Sequence, residues 1–326
     1  MMLSSILLFK KYVKNIRCIS SLSSDGNSTI GVLSYDVYQQ NDNNSNNTAV
    51  FLHGILGSKR NWRTPANTWL QLNSSYNTCV TIDHRGHGKS IGFNSNKNTN
   101  TINTCAKDTD NTLRYIENDI IHHKLTPTIL FAHSFGGKVA LRYLEQRWRS
   151  GMECPKHIWI LDSMPGLYKE GKDDKQSVIQ IINMLSSLPK QYDTREIMIN
   201  QLIGLGLDKG VALWLATNLI PVKVNGSTVY QWGFDLNTMT DLFHNFCDED
   251  LWSFLDEYNS KNNTDSIVHF LRAGKNSAWT TDIVDKLNNF SKKNIRLHTM
   301  QNVGHWLHAE DLRGMFSIIR KESGLL

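Results

Sequence analysis

The segment Leu130-Phe131-Ala132-His133-Ser134-Phe135-Gly136-Gly137 puts a serine where an apolar run meets a helical pattern. Small residues two before it (Ala132, in place of the commoner glycine) and two after it (Gly136) suit the tight strand-to-helix turn of a nucleophile elbow. That turn sets Ser134 at the N-terminus of the following helix, which favours negative charge developing beside it. A serine hydroxyl is a weak nucleophile until a base takes its proton. His305, in Gly304-His305-Trp306-Leu307-His308, is the candidate base, because imidazole, with an ordinary pKa near ~6.5, shuttles protons at neutral pH. The backbone N–H groups of Ile55 and Phe135 are candidate oxyanion donors; losing one such donor typically costs roughly 100- to 1,000-fold in rate. Two acids keep the chain order Ser…Asp…His: Asp162, closing the run His157–Leu161, and Asp235, in Trp232-Gly233-Phe234-Asp235-Leu236. A carboxylate at a strand end is the better held, so Asp162 is preferred and Asp235 is the alternative acid. The chemistry expected of such a set is acyl transfer to Ser134 followed by hydrolysis.

These groups need a scaffold that brings distant segments to one edge. Short apolar runs at Ala49–Leu52, Cys79–Ile82, Thr128–Ala132 and His157–Leu161 predict buried strands, and Ile30–Tyr38 predicts a further strand. Helical spacing covers Trp62–Leu72, Thr109–His122 and Gly136–Trp148. Alternating strands and helices imply a mostly parallel sheet with helices on both faces. The alternation stops after Ser163, and residues 165–262 read as a mostly helical insertion. It resumes with strands at Ile267–Leu271 and Ile295–Met300, and helices near 280–290 and 309–322. The expected organisation is a core of residues 25–164 and 263–326 carrying a helical lid at 165–262. Asn94–Thr104 reads as an expanded polar loop.

Three motifs together are similar to one family: HGILGSKRNW (53–62), AHSFGGK (132–138) and GHWLHAE (304–310). From about residue 30 to 322 the chain resembles the α/β-hydrolase superfamily. Within it, the motifs resemble the esterase-like branch of bacterial YbfF-type esterases and their mitochondrial animal relatives. The resemblance implies the α/β-hydrolase fold and a serine hydrolase acting on esters or thioesters, without metal or organic cofactor. Many members place the acid after the strand matching Ile267–Leu271. Here Ala273-Gly274-Lys275-Asn276-Ser277 holds no carboxylate, and the resembled branch uses the position of Asp162. Serine at the elbow disfavours dehalogenase and epoxide hydrolase chemistry, whose branches carry aspartate there. The missing loop acid is the one feature favouring a rival: a catalytically silent relative that binds a ligand or partner. A lyase using the same triad is a third option.

The other histidines read as structural. His53 and His133 shape loops. His84 and His87 beside Asp83 lack a third spaced ligand for a metal, and Asp83 and Arg85 suggest an ion pair or loop anchor. The aromatic cluster Trp214, Tyr230, Trp232, Phe243, Phe246 and Trp252 is either lid core or an acyl-binding wall.

The chain has 326 residues, 40% of them hydrophobic and 20% charged, which excludes disordered and fibrous classes. The net charge of +5 falls to 5 − 4 = +1 without Lys10, Lys11, Lys14 and Arg17, so no basic stripe for nucleic acid remains. Residues 1–24 lack acids and are basic and serine-rich, the pattern of a transit peptide, with Arg17-Cys18-Ile19-Ser20-Ser21 resembling a mitochondrial processing site. Mitochondrial import is the expectation, with plastid or cytoplasmic location as alternatives. The apolar run in this leader is too short for a transmembrane segment. Five scattered cysteines, without a CxxC pair, argue against disulfide and zinc frameworks. The expected ligand is a small acyl ester or thioester.

Overall fold

A computed structural model describes residues 17–20, 31–40, 46–93, 97–121, 126–169, 177–261, 265–290 and 292–325. The core elements, in chain order, are β1 (Arg17–Ser20), β2 (Tyr35–Gln39), β3 (Asn47–Leu52), α1 (Arg63–Leu72), β4 (Tyr76–Ile82), α2 (Ile102–Ile116), β5 (Ile129–His133), α3 (Phe135–Arg149) and β6 (His157–Leu161). An inserted block follows: α4 (Val178–Ser187), β7 (Gln191–Tyr192), α5 (Arg195–Gly204), α6 (Lys209–Ala216), β8 (Leu219–Val224), β9 (Ser227–Trp232), α7 (Leu236–Asp248) and α8 (Trp252–Ser260). The core closes with β10 (Ile267–Ala273), α9 (Thr281–Asn288), β11 (Ile295–Met300), α10 (Leu307–Glu310) and α11 (Leu312–Glu322).

Eight strands form one sheet in the order β1-β2-β4-β3-β5-β6-β10-β11. The six from β4 to β11 in this order run parallel, while β1 and β2 pair antiparallel at one edge. The central strands are apolar throughout because both faces are covered. Phe51, Phe131, Trp159 and Leu271 pack under α1 and α11 against Trp69, Met315 and Phe316. Their neighbours Val50, Leu130, Ile158 and Phe270 point the other way, into the core shared with Leu113 of α2 and Val139 of α3. The resulting fold is the α/β-hydrolase fold.

The inserted block departs from the helical expectation. It contains a three-stranded antiparallel sheet, β7-β9-β8, besides its helices. Asn225 and Gly226 turn the β8–β9 hairpin with φ of 48° and 82°, the paired left-handed conformations that match strand twist in a two-residue turn. The polar run at 94–104 also differs from a loop throughout. Thr101 caps α2, accepting from Thr104 N at 3.1 Å, so the helix begins at Ile102. Part of the expected leader, Arg17–Ser20, pairs with β2 as an edge strand; the rest of residues 1–24 lies outside the described residues. No described helix is long and apolar enough to cross a membrane.

Candidate active site

Ser134 stands between β5 and α3 with φ 52° and ψ −117°. Such backbone is uncommon for a residue with a side chain and persists only where its surroundings impose it. Its N–H donates to Leu161 O at 3.0 Å, which locks the elbow to β6. Gly136 explains the second small residue of the motif. A Cβ there would lie 2.7 Å from His53 O and 2.9 Å from Leu52 O, so the helix can approach β3 only through glycine.

His305 follows β11, and its Nδ1 lies 2.7 Å from Asp162 Oδ2. Asp162 is buried at the end of β6, itself at a positive φ of 49°. Ala273 N donates to its Oδ1 at 2.8 Å, Trp279 Nε1 to the same oxygen at 2.7 Å, and Asn276 Nδ2 to Oδ2 at 2.7 Å. The loop after β10 that lacks an acid therefore supplies donors to an acid on the neighbouring strand. An acceptor-only carboxylate receiving Nδ1–H leaves the lone pair of His305 on Nε2. His305 is held from a second side, since His133 Nε2 donates to its O at 2.8 Å. A hydrogen bond from Ser134 Oγ to His305 Nε2 is not among those made by the described side chains; such bonds often tighten only with substrate in place.

Ser134, His305 and Asp162 line one cavity of about 340 Å³ with Ile55 and Phe135. Phe135 opens α3, so its N–H is one of the helix's orphan donors, and among the described residues nothing accepts from Ile55 N–H. Trp214, Phe243 and Phe246 of the insertion form part of the wall with Tyr168, Ile181 and Trp306. The six-residue aromatic cluster thus divides: Tyr230, Trp232 and Trp252 do not line this cavity.

The remaining candidates have other employment. Asp235 caps α7, accepting from Thr238 N at 2.7 Å, and does not line the cavity. The suggested Asp83–Arg85 pair is not formed. Arg85 pairs with Asp108 at 2.7 Å, whereas Asp83 accepts from Lys59 N and Lys89 N and lies 3.9 Å from Lys59 Nζ. Burial pushes the Asp83 carboxyl up to about 6, against the pull of Lys59. His53, His84, His87 and His308 are buried, and no described group of side chains could hold a metal ion. Desolvation lowers His84 and His308 to about 3 and His87 to about 4, so these rings are neutral at physiological pH. His308 turns from the cavity and stacks on Trp62, centroids 4.5 Å apart. Sequence reasoning missed Asn276 and Trp279, whose only signal was a polar loop beside a strand end.

Comparison with known proteins bears on the family and the fold. The model of the alpha/beta hydrolase family matches residues 49–315. The chain is 26% identical over 244 residues to the sn-1-specific diacylglycerol lipase ABHD11 of Danio rerio, covering 73% of this chain and 69% of that one. The Mus musculus protein of the same name is 22% identical over 263 residues, covering 80% and 76%. Among solved structures, a marine microorganism esterase superposes with a TM-score of 0.70 at 20% identity, covering 89% of this chain and 98% of that one. The chain belongs to the alpha/beta hydrolase family.

Proposed function

We propose that this protein cleaves carboxylic esters or thioesters through Ser134, His305 and Asp162. The observation that carries the reading is the buried, four-times hydrogen-bonded Asp162 gripping His305 at 2.7 Å, in a cavity that Ser134 also lines. His305 Nε2 takes the Ser134 proton as Oγ adds to the carbonyl carbon. The oxyanion meets Ile55 N–H and Phe135 N–H. Collapse expels the alcohol or thiol, which leaves with the proton from His305, and an acyl-Ser134 ester remains. Water, giving its proton to His305, adds to that ester; its breakdown releases the acid and returns the proton to Ser134.

The lid supports an acyl substrate. Phe243, Phe246, Trp214 and Ile181 offer an apolar wall suited to an acyl chain. The zebrafish and mouse relatives are named as diacylglycerol lipases, which fits a hydrophobic acyl group. The basic, acid-free leader supports import into mitochondria. Profiling a series of acyl esters and acyl thioesters with wild type and Ser134→Ala tests the activity. Turnover that disappears in the variant supports it. Equal rates in both proteins, or no turnover by folded wild type across the series, would refute it and favour the silent binding protein.

A further inference from the structure

The Ile55 N–H can serve an oxyanion only if the peptides around it hold one orientation, and three consecutive peptides here are each fixed from outside the strand. Gly54 O, on the peptide whose N–H belongs to Ile55, accepts from Gly57 N at 3.1 Å and lies 2.8 Å from His53 Nδ1. Leu56 N donates to His87 Nε2 at 3.1 Å. Leu56 O accepts from Asn218 Nδ2 at 2.9 Å. Leu56 has φ 58°, a left-handed conformation that a bulky residue keeps only when held there.

The two outer grips come from different places. His87 is buried, and its Nδ1 lies 2.9 Å from Arg85 O, so the Nδ1–H tautomer leaves Nε2 free to accept. Asn218 is buried at the α6–β8 junction of the insertion, with Oδ1 3.0 Å from Ser58 Oγ. Both grips meet at the foot of the lid hairpin. Gly233 N donates to Asn218 O at 2.8 Å, and Gly233 O accepts from Gly88 N, next to His87, at 2.6 Å. The hairpin foot and the oxyanion loop therefore form one hydrogen-bonded unit.

We propose that His87 and Asn218 are positioning residues of the oxyanion hole, and that through Asn218 the seating of the lid sets how well the hole is formed. Neither touches the reacting atoms; each acts by holding the Leu56 peptides. This rests on the hydrolase reading above.

The test uses the full chain with Asn218→Ala, His87→Leu and His87→Gln. For each, kcat and KM for a p-nitrophenyl ester are measured beside the melting temperature and the Ki of a trifluoromethyl ketone, which forms a tetrahedral oxyanion adduct with the serine. Glutamine can offer an acceptor near the position of Nε2; leucine cannot. Asn218→Ala and His87→Leu should lower kcat by about 10- to 100-fold, a fraction of the effect of losing a donor outright, with KM within about twofold. Ketone binding should weaken by the same factor, and His87→Gln should recover most of the loss. Folded Asn218→Ala with unchanged kcat and Ki would overturn the proposal, even if His87→Leu failed to fold. So would losses that only follow the folded fraction. A wild type that neither turns over esters nor binds the ketone would instead refute the hydrolase reading, and this inference with it.

Discussion

Replacing Asp162 by asparagine keeps the shape of the site and removes one acceptor oxygen. In the native site each carboxylate oxygen takes two donors: Oδ1 from Ala273 N and Trp279 Nε1, Oδ2 from Asn276 Nδ2 and His305 Nδ1. An asparagine oxygen can serve only one side. Set toward the backbone and indole, it presents an NH2 to His305. The imidazole must then accept at Nδ1 and carry its proton on Nε2, the wrong tautomer for taking the Ser134 proton. The same loss in a serine protease lowers kcat by about 10⁴-fold, or about 5.4 kcal/mol of barrier at ~1.36 kcal/mol per tenfold. Asn276 could turn its own oxygen toward the new NH2, but that oxygen accepts from Ala278 N at 3.0 Å. One buried donor is thus left unmatched, at about 1–3 kcal/mol of stability. Steady-state hydrolysis of a p-nitrophenyl ester, with thermal melts of the same preparations, measures both effects. Activity within about tenfold of wild type in a folded Asp162→Asn protein would refute the tautomer argument.

Further expectations follow from neighbouring residues. Asp235→Ala should lose about 1 kcal/mol of stability with the α7 cap yet keep kcat, as read by melts and turnover; inactivity with normal folding would return Asp235 to the acid's role. Acidification should unfold the protein steeply. His84, His87 and His308 have folded pKa values of about 3, 4 and 3 against 6.5 unfolded. Their stability is complete above pH ~6.5 and is lost toward pH ~4 as the unfolded chain takes up protons, at ~4 kcal/mol per pH unit for three rings. Asp83, held up at about 6, opposes this as a single group, and a flat melting temperature between pH 7 and 5 would contradict the prediction. Phe243→Ala should open the acyl wall and raise kcat/KM for an octanoyl over a butyryl ester by about tenfold; an unchanged ratio would remove Phe243 from the acyl site.

The sheet was legible because its central strands are buried on both faces, leaving continuous apolar runs such as Ile129–Ala132 that only a covered parallel sheet requires. Ser134 was legible for a steric reason, the small residues that its turn needs. The hairpin of β8 and β9 carried a readable signal, Asn225-Gly226 between Val222-Lys223-Val224 and Thr228-Val229-Tyr230, that the surrounding helical pattern obscured. Asp162 and Asp235 looked alike because a carboxylate that caps a helix and one that orients an imidazole occupy the same kind of position, just after an apolar run. What separates them is the donor set on Asp162, contributed from 111 to 117 residues away. The grip of Asn218 on Leu56 spans 162 residues and had no local trace.

The most direct test is the site of covalent capture by a fluorophosphonate. Intact mass and peptide mapping should show one phosphonyl group on Ser134, absent from Ser134→Ala and slow to form in His305→Ala. A folded protein that stays unmodified, or one modified at another residue, would contradict the proposal that Ser134 is the nucleophile.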